Sequence, residues 1–316
     1  MTTRPQWYRP DRQLAFRMAL TMFTLVLVYL AFVFVLGSIF KNLGFVFFFF
    51  IALIIAGAQF YFADKIALWS MNARIVTPEE APELSEMVSR LAQAANLPMP
   101  RLAIVDTTVP NAFATGRNER NAVVCVTTGI MRQLTDPELE AVLAHELTHI
   151  VNRDVLVMSI AAFFSMVAGL LTRSMLYGMM WGGMGGGYGD RRNRDDNGGT
   201  QILLFLVSAL VAAISFVLVR LLSRYRELAA DRGSALITGA PQNLASALMK
   251  ISGTMQSGRI PDRDLRQAEA VNALAIIPAV KGEEVQEIFS THPSLQHRLE
   301  QLQRIQEQME SAGRLR

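Results

Sequence analysis

Thr135-Asp136-Pro137-Glu138-Leu-Glu-Ala-Val-Leu-Ala-His145-Glu146-Leu-Thr-His149-Ile-Val-Asn152-Arg-Asp154 is the stretch from which the rest of the chain can be read. Thr135 and Glu138 have the spacing of a capping box, and apolar residues recur behind them with helical period, so a helix opens here. Within that helix stands H-E-x-x-H. Side chains four residues apart lie about 40° from one another around a helix, so His145 and His149 leave the same face and their ring nitrogens can share one ion. Glu146, next to the first histidine, can reach a water in an open coordination position and take its proton. The plainer alternative is a pair of histidines on the surface of an amphipathic helix. The chain has just 4 histidines, and a capped helix surrounds these two, which argues against coincidence.

A hydrolytic metal site needs a third protein ligand, and the candidates are Asp154, Glu227, Asp231 and His292. Asp154 comes five residues after His149, about 140° round a continuous helix, and cannot easily close the same site. Glu227 is the best of the four. It stands in Ser223-Arg224-Tyr225-Arg226-Glu227-Leu-Ala-Ala-Asp231, where Asp231 follows one helical turn later on the same face. That pairing suits one carboxylate on the metal and a second accepting the far N–H of a ligand histidine. The alternative is that both acids merely offset Arg224 and Arg226 on a helix surface. The single cysteine, Cys125, excludes an intramolecular disulfide and any cysteine-rich metal site. In the run Val123-Val124-Cys125-Val126 it reads as a small buried hydrophobe.

Working outward, the 316 residues are 51% hydrophobic and 18% charged, too apolar for an ordinary soluble domain. The net charge of +3 gives no case for nucleic acid. Apolar runs cover Met18 to Phe40, Leu43 to Ala63, Val155 to about Met180, and Ile202 to Leu222. Each is long enough, at ~1.5 Å per helical residue, to cross a ~30 Å hydrocarbon layer. The first is too long for a cleaved signal segment and lacks a small-x-small site after it. Arg173 enters the third run near its far end, where it can snorkel to the interface. Two hairpins result: residues 18–63, and residues 155–222 with a Gly-rich, charged loop over 181–200. The segments 1–17, 64–154 and 223–316 then share one side of the membrane. Arg4, Arg9, Arg12 and Arg17 precede the first span, against Lys41 alone in the first hairpin loop, which puts that shared side in the cytosol although the second hairpin loop carries three arginines, Arg191, Arg192 and Arg194, that count the other way.

Neither 64–154 nor 223–316 looks long enough for a core of its own, so the two are expected to form one interrupted domain. Pro82 to Ala95, Asn243 to Ser252 and Leu295 to Met309 have helical apolar spacing, while Arg101 to Asp106 and Ala122 to Thr128 read as short strands. The helix of His145 leads directly into the third apolar run, and Glu227 lies five residues past Leu222, roughly 7 Å of helix. A metal held there is expected at the membrane surface.

These residues resemble the HtpX-type membrane zinc metalloproteases, relatives of the CAAX prenyl endopeptidases. The resemblance covers nearly the whole chain. It is carried by Asn111-Ala-Phe113-Ala-Thr115-Gly116, the strand Val123 to Thr127, His145-Glu146-x-x-His149, Glu227-x-x-x-Asp231, and Ser290-Thr291-His292-Pro293 with Arg298. It implies a mostly α membrane protein: four transmembrane helices plus one zincin-like α+β catalytic domain with a small sheet. One Zn2+ per subunit is expected on His145, His149 and Glu227, with Asp231 behind the ligands and Glu146 as general base. His292 and Arg298 are expected to donate hydrogen bonds to the developing oxyanion, whereas His297 matches no role. The implied substrates are membrane proteins and unfolded polypeptides, in protein quality control and stress response. The implied setting is the lipid bilayer of a bacterial plasma (inner) membrane, crossed several times, with the active site facing the cytosol. Peptide cleavage suits a substrate strand added to a sheet edge, and Ala122, Val123, Val124, Cys125 and Val126 are the candidate edge, an internal core strand being the alternative. A non-catalytic zinc scaffold would not need Glu146. A transporter would need paired charges inside the spans, where just Arg173 and Arg220 occur, both near span ends.

Overall fold

The computed structural model describes residues 12–39, 50, 53–55, 57–161, 163, 169, 172–173, 195–257, 260–261 and 292–311. About half of the second apolar run, the third beyond Ala161 save a few positions, the Gly-rich stretch up to 194, and Ser290 and Thr291 lie outside them. The chain divides into two compact units. One comprises Met1–Ala15, Gln59–Leu156 and Ser223–Arg316, the other Phe16–Ala58 and Val157–Leu222.

In the first unit, β1 (Arg74–Val76), β2 (Arg101–Val105), β3 (Ala112–Thr115) and β4 (Val123–Thr127) form one sheet in the order β1-β2-β4-β3. β1 runs antiparallel to β2, β2 parallel to β4, and β3 antiparallel to β4. The expectation that Ala122 to Thr128 is an open edge is therefore overturned: β4 is internal, paired on both sides, and all five of its residues are buried. Val124 and Val126 join the core under the helices, while Val123 and Cys125 join a second cluster with Ala67, Met71, Ala103, Val105 and Phe113. A strand covered on both faces is apolar at every position, and that is what the run Val123-Val124-Cys125-Val126 records. An open edge would carry charge or proline. Burial pushes the Cys125 thiol up to about 12, so it behaves as a hydrophobe.

Two strands escaped the sequence reading. β1 has three residues and β3 four, too short for alternation to register, and β3 is buried throughout. The helices of this unit are α2 (Ala63–Ser70), α3 (Pro82–Ala94), α4 (Thr128–Gln133), α5 (Asp136–Val151), the part of α6 (Asp195–Thr238) from Ser223 onward, α7 (Pro241–Gln256) and α8 (Leu295–Ser311). α6 continues through both units and begins inside the segment read as loop. The main core joins Val88 and Leu91 of α3, Val142, Leu143 and Leu147 of α5, Leu244, Leu248 and Ile251 of α7, and Leu302 of α8. Both soluble segments supply it, which is why neither could stand alone.

The second unit contains most of α1 (Arg12–Ile39) and the apolar half of α6. These are the described helices long and apolar enough to cross a membrane, over Arg12–Phe32 and Ile202–Thr238. Leu25, Tyr29 and Phe32 pack with Ala161, Leu204 and Val211, and the Tyr29 hydroxyl donates to the Ala161 carbonyl at 3.2 Å. Phe23, Leu30, Phe34, Leu206 and Leu210 face outward and are exposed.

Candidate metal centre

α5 opens as its sequence requires. Glu138 accepts from the Thr135 backbone N–H at 2.9 Å, the Thr135 side chain caps the helix in return, and Pro137 occupies the first turn, where no N–H is needed. Every residue from Ala141 to Thr148 is buried. Such a helix can lie in a core only where its neighbours come close, and α6 does so through small residues. Ser234 Oγ donates to the Ala141 carbonyl at 2.6 Å, and a Cβ added at Gly233 would stand 2.3 Å from Thr148 Cγ2. The close crossing brings the Glu227–Asp231–Ser234 face of α6 against the histidine face of α5.

At the crossing, His145 Nε2 and His149 Nε2 are 3.2 Å apart, and each lies 3.5 Å from a different oxygen of Glu227. The Nδ1 atoms point away: His145 Nδ1 to Asp231 Oδ1 at 2.9 Å, His149 Nδ1 to Asp154 Oδ2 at 2.6 Å. The aspartates thus assign the proton of each ring to Nδ1 and turn both Nε2 lone pairs inward. Atoms bound to one zinc ion at ~2.0–2.1 Å and tetrahedral angles lie about 3.3–3.4 Å from one another, close to the separation of the two Nε2 atoms and to that of each from a Glu227 oxygen. Glu227 Oε2 is also buried without a hydrogen bond of good geometry among the described residues. The donor set fits a metal ion.

The electrostatics agree. Burial opposes a charged ring at His145, yet Asp231 and Glu227 outweigh it and raise the imidazole to about 9, so the pocket favours positive charge at this point. Burial likewise opposes ionised Glu227 and Asp231. His292 and His145 hold the first well below the usual carboxylate range, and Arg298 with His145 lowers the second. Arg298, buried at 2% exposure, donates from Nε and Nη2 to both oxygens of Asp231 at 2.9 and 2.6 Å, and its Nη1 is 3.9 Å from Glu227 Oε2. His292 is buried with Nδ1 3.3 Å from Glu227 Oε2, and His297 is exposed.

Glu146 differs from its neighbours. Burial pushes its carboxyl up despite the two histidines, and its Oε2 accepts the Ala114 backbone N–H at 2.9 Å. Ala114 lies on β3, at the end of the sheet. Thr127 N–H bonds the Asn111 carbonyl, so pairs 111/127, 113/125 and 115/123 carry the ladder while Ala112 and Ala114 turn their backbone groups outward. The edge beside Glu146 is therefore β3, in place of the expected Ala122–Val126. Ala114 to Asn118, Ala122, His149, Ile150 and Arg153 to Leu156 border a cleft beside His149.

Sequence reasoning missed Asp154 as the partner of His149. The 140° argument assumed that the helix continues, but it ends at Val151 with Asn152 as C-cap, and Arg153 takes φ 55°, which swings Asp154 back under the ring. The signal was Asn152-Arg153-Asp154 after the last apolar residue of the helix.

Residues 78–306 match the model of peptidase family M48. The chain belongs to that family. A protease HtpX homolog of Moorella thermoacetica is 53% identical over 300 residues, covering 95% of this chain and 97% of that one. A protease HtpX homolog 2 of Methanosarcina acetivorans is 52% identical over 304 residues, 96% of this chain and 99% of that. The crystal structure of S. mikatae Ste24p shares the fold at a TM-score of 0.55 and 19% identity, covering 92% of this chain, which spans 66% of that structure's length. The M48 chain is a metalloprotease of HtpX type, mostly helical with a small mixed sheet, and its candidate metal ligands are the His145–His149–Glu227 cluster.

Proposed function

We propose that this M48 member is an integral-membrane zinc endopeptidase that cleaves membrane proteins or their cytosolic segments in protein quality control. The observation that carries the reading is the cluster of His145 Nε2 and His149 Nε2, 3.2 Å apart and each 3.5 Å from one oxygen of Glu227, with Glu146 on the adjoining position of α5. Zinc on those three residues supplies a Lewis acid that acidifies water and polarises the scissile carbonyl. Glu146 takes the proton of the attacking water and hands it to the leaving amine, a role suited to a carboxylate whose burial raises its proton affinity. The substrate adds as a strand to β3, whose outward backbone groups at Ala112 and outward carbonyl at Ala114 remain to hold a peptide extended, the Ala114 N–H being taken by Glu146. His292, beside Glu227, donates to the developing oxyanion. Arg298 acts one step back, holding Asp231 and through it His145, because two of its nitrogens are committed to that carboxylate.

The membrane setting is supported by α1 and the apolar half of α6, whose outward phenylalanines and leucines suit lipid and not water. The four apolar runs of the sequence support four spans, and the arginines before the first of them support a site on the cytosolic side. The test is cleavage of an unfolded model protein by the detergent-purified chain, stripped with chelator and then given zinc. Zinc-dependent cleavage that Glu146→Gln abolishes supports the reading. A protein that binds zinc and cleaves neither unfolded nor membrane substrates sinks it.

A further inference from the structure

We propose that Asp154 and Arg226 are a positioning pair for His149, so that each ligand imidazole has its own carboxylate and its own guanidinium. The inference deepens, and rests on, the reading of His145, His149 and Glu227 as the metal ligands. One oxygen of Asp154 lies 2.6 Å from His149 Nδ1 and the other 3.0 Å from Arg226 Nε, and Asp154 is 2% exposed. A carboxylate so buried is stable only if paired, and here both of its oxygens have partners from different helices.

The arrangement repeats, with different parts, what stands behind His145. There Arg298 of α8 grips both oxygens of Asp231. Behind His149 the aspartate comes from the turn after α5, and the arginine sits on α6 directly before Glu227. A single turn of α6 thus carries the third ligand and the clamp on the second. Arg153 of the same turn reaches out to Glu119 at 3.3 Å and is exposed, so the left-handed turn faces its two charged neighbours in opposite directions. A lone Asp154 could rotate away from the ring, and Arg226 prevents it.

The test is zinc affinity of the purified full chain, measured by competition with a chromophoric chelator. Asp154→Asn keeps an oxygen for the ring but loses the charge, and it is expected to weaken zinc binding by about 10-fold or more. Arg226→Gln weakens it by a few-fold to about 10-fold, and Arg226→Lys recovers most of that loss. Because the two act in series, the double variant binds no more weakly than Asp154→Asn alone. The visible bands of the cobalt-substituted protein shift in Asp154→Asn, which a merely structural change elsewhere would not cause. Arg153→Gln is the control that changes nothing. Should Asp154→Asn fail to fold, the Gln and Lys variants of Arg226 decide alone. Affinities of Asp154→Asn and Arg226→Gln within about two-fold of the parent would overturn the pair, leaving the ligands intact. A parent chain that binds no zinc would overturn the metal reading itself.

Discussion

The two ends of α5 each bury a glutamate, and they do so to opposite effect. At the N-terminal end, Glu138 receives the Thr135 N–H at 2.9 Å, Ser246 Oγ at 2.6 Å and Lys250 Nζ at 2.7 Å. Burial works against its charge, but Lys250, Ser246 and Thr135 overcome it and hold the carboxyl at about 2. At the C-terminal end, Glu146 has the Ala114 N–H, and burial wins. A carboxylate surrounded by donors is a staple: it ties the start of α5 to α7. One left short of donors keeps an appetite for protons and can do chemistry. The same residue type on the same helix serves stability at one end and reactivity at the other, and the number of donors decides which.

Replacing each by glutamine should separate the two roles. Glu146→Gln is expected to lower kcat by about 10²–10⁴-fold, the usual contribution of a general base, while zinc content and apparent Tm stay at parental values, since the amide oxygen can still accept from Ala114. Zinc titration, a melting curve and steady-state cleavage rates on one preparation suffice. A variant that loses its zinc or its fold along with its activity would show that Glu146 is a second staple and dissolve the contrast.

The crossing between the two ends can be attacked directly. Gly233→Ala puts a methyl 2.3 Å from Thr148 Cγ2 and 2.4 Å from its Oγ1, so α5 and α6 must part. The expected cost is about 1–3 kcal/mol of stability, as for other overpacked sites. A loss of zinc affinity should accompany it, because Glu227 and the histidines sit on opposite sides of the gap. Thr148→Ala, which removes the two closest of the three clashing atoms and leaves Cβ at 2.9 Å, is expected to restore part of each. Loss of stability with unchanged zinc affinity would mean that the ligands do not depend on this close approach.

How much of this was legible in the sequence follows from where each signal resides. The capped helix, the shared face of His145 and His149 and the pairing of Glu227 with Asp231 are local patterns of three to seven residues, and helical geometry turns such patterns into positions. What involves chain reversal was not legible. Asp154 reaches His149 because the helix stops and Arg153 takes a left-handed φ, and a period of 3.6 residues is silent about where it ends. β3 hides for a related reason: four residues, all buried, give no alternation, and its place at the sheet edge is fixed by pairing with β4 at a distance. The run Val123-Val124-Cys125-Val126 announced a strand correctly, but its uniform apolarity was itself the sign that both faces and both edges were covered. Arg298, expected at the reacting atoms, is committed to Asp231 by a bidentate geometry that only tertiary structure creates.

The smallest effect belongs to the staple, and its pH dependence identifies it. The Glu138 carboxyl sits at about 2 in the fold, against an ordinary 4.5. A group lowered in the folded state contributes stability that is present above its unfolded value and fades as pH falls from there toward the folded one. Here the window runs from about pH 5 down to about 2, and the shift corresponds to roughly 3–4 kcal/mol at most. Lys250 is 43% exposed, so water screens part of that, and about 1–2 kcal/mol is the better expectation. Glu138→Gln should therefore melt below the parent at pH 7, and the gap should close as pH is lowered toward 3, while kcat at neutral pH is unchanged. Comparing variant with parent at each pH cancels every other titrating group. A gap that stays constant with pH would assign the staple to the neutral contacts with Thr135 and Ser246, and the contrast with Glu146 would then rest on shape and not on charge.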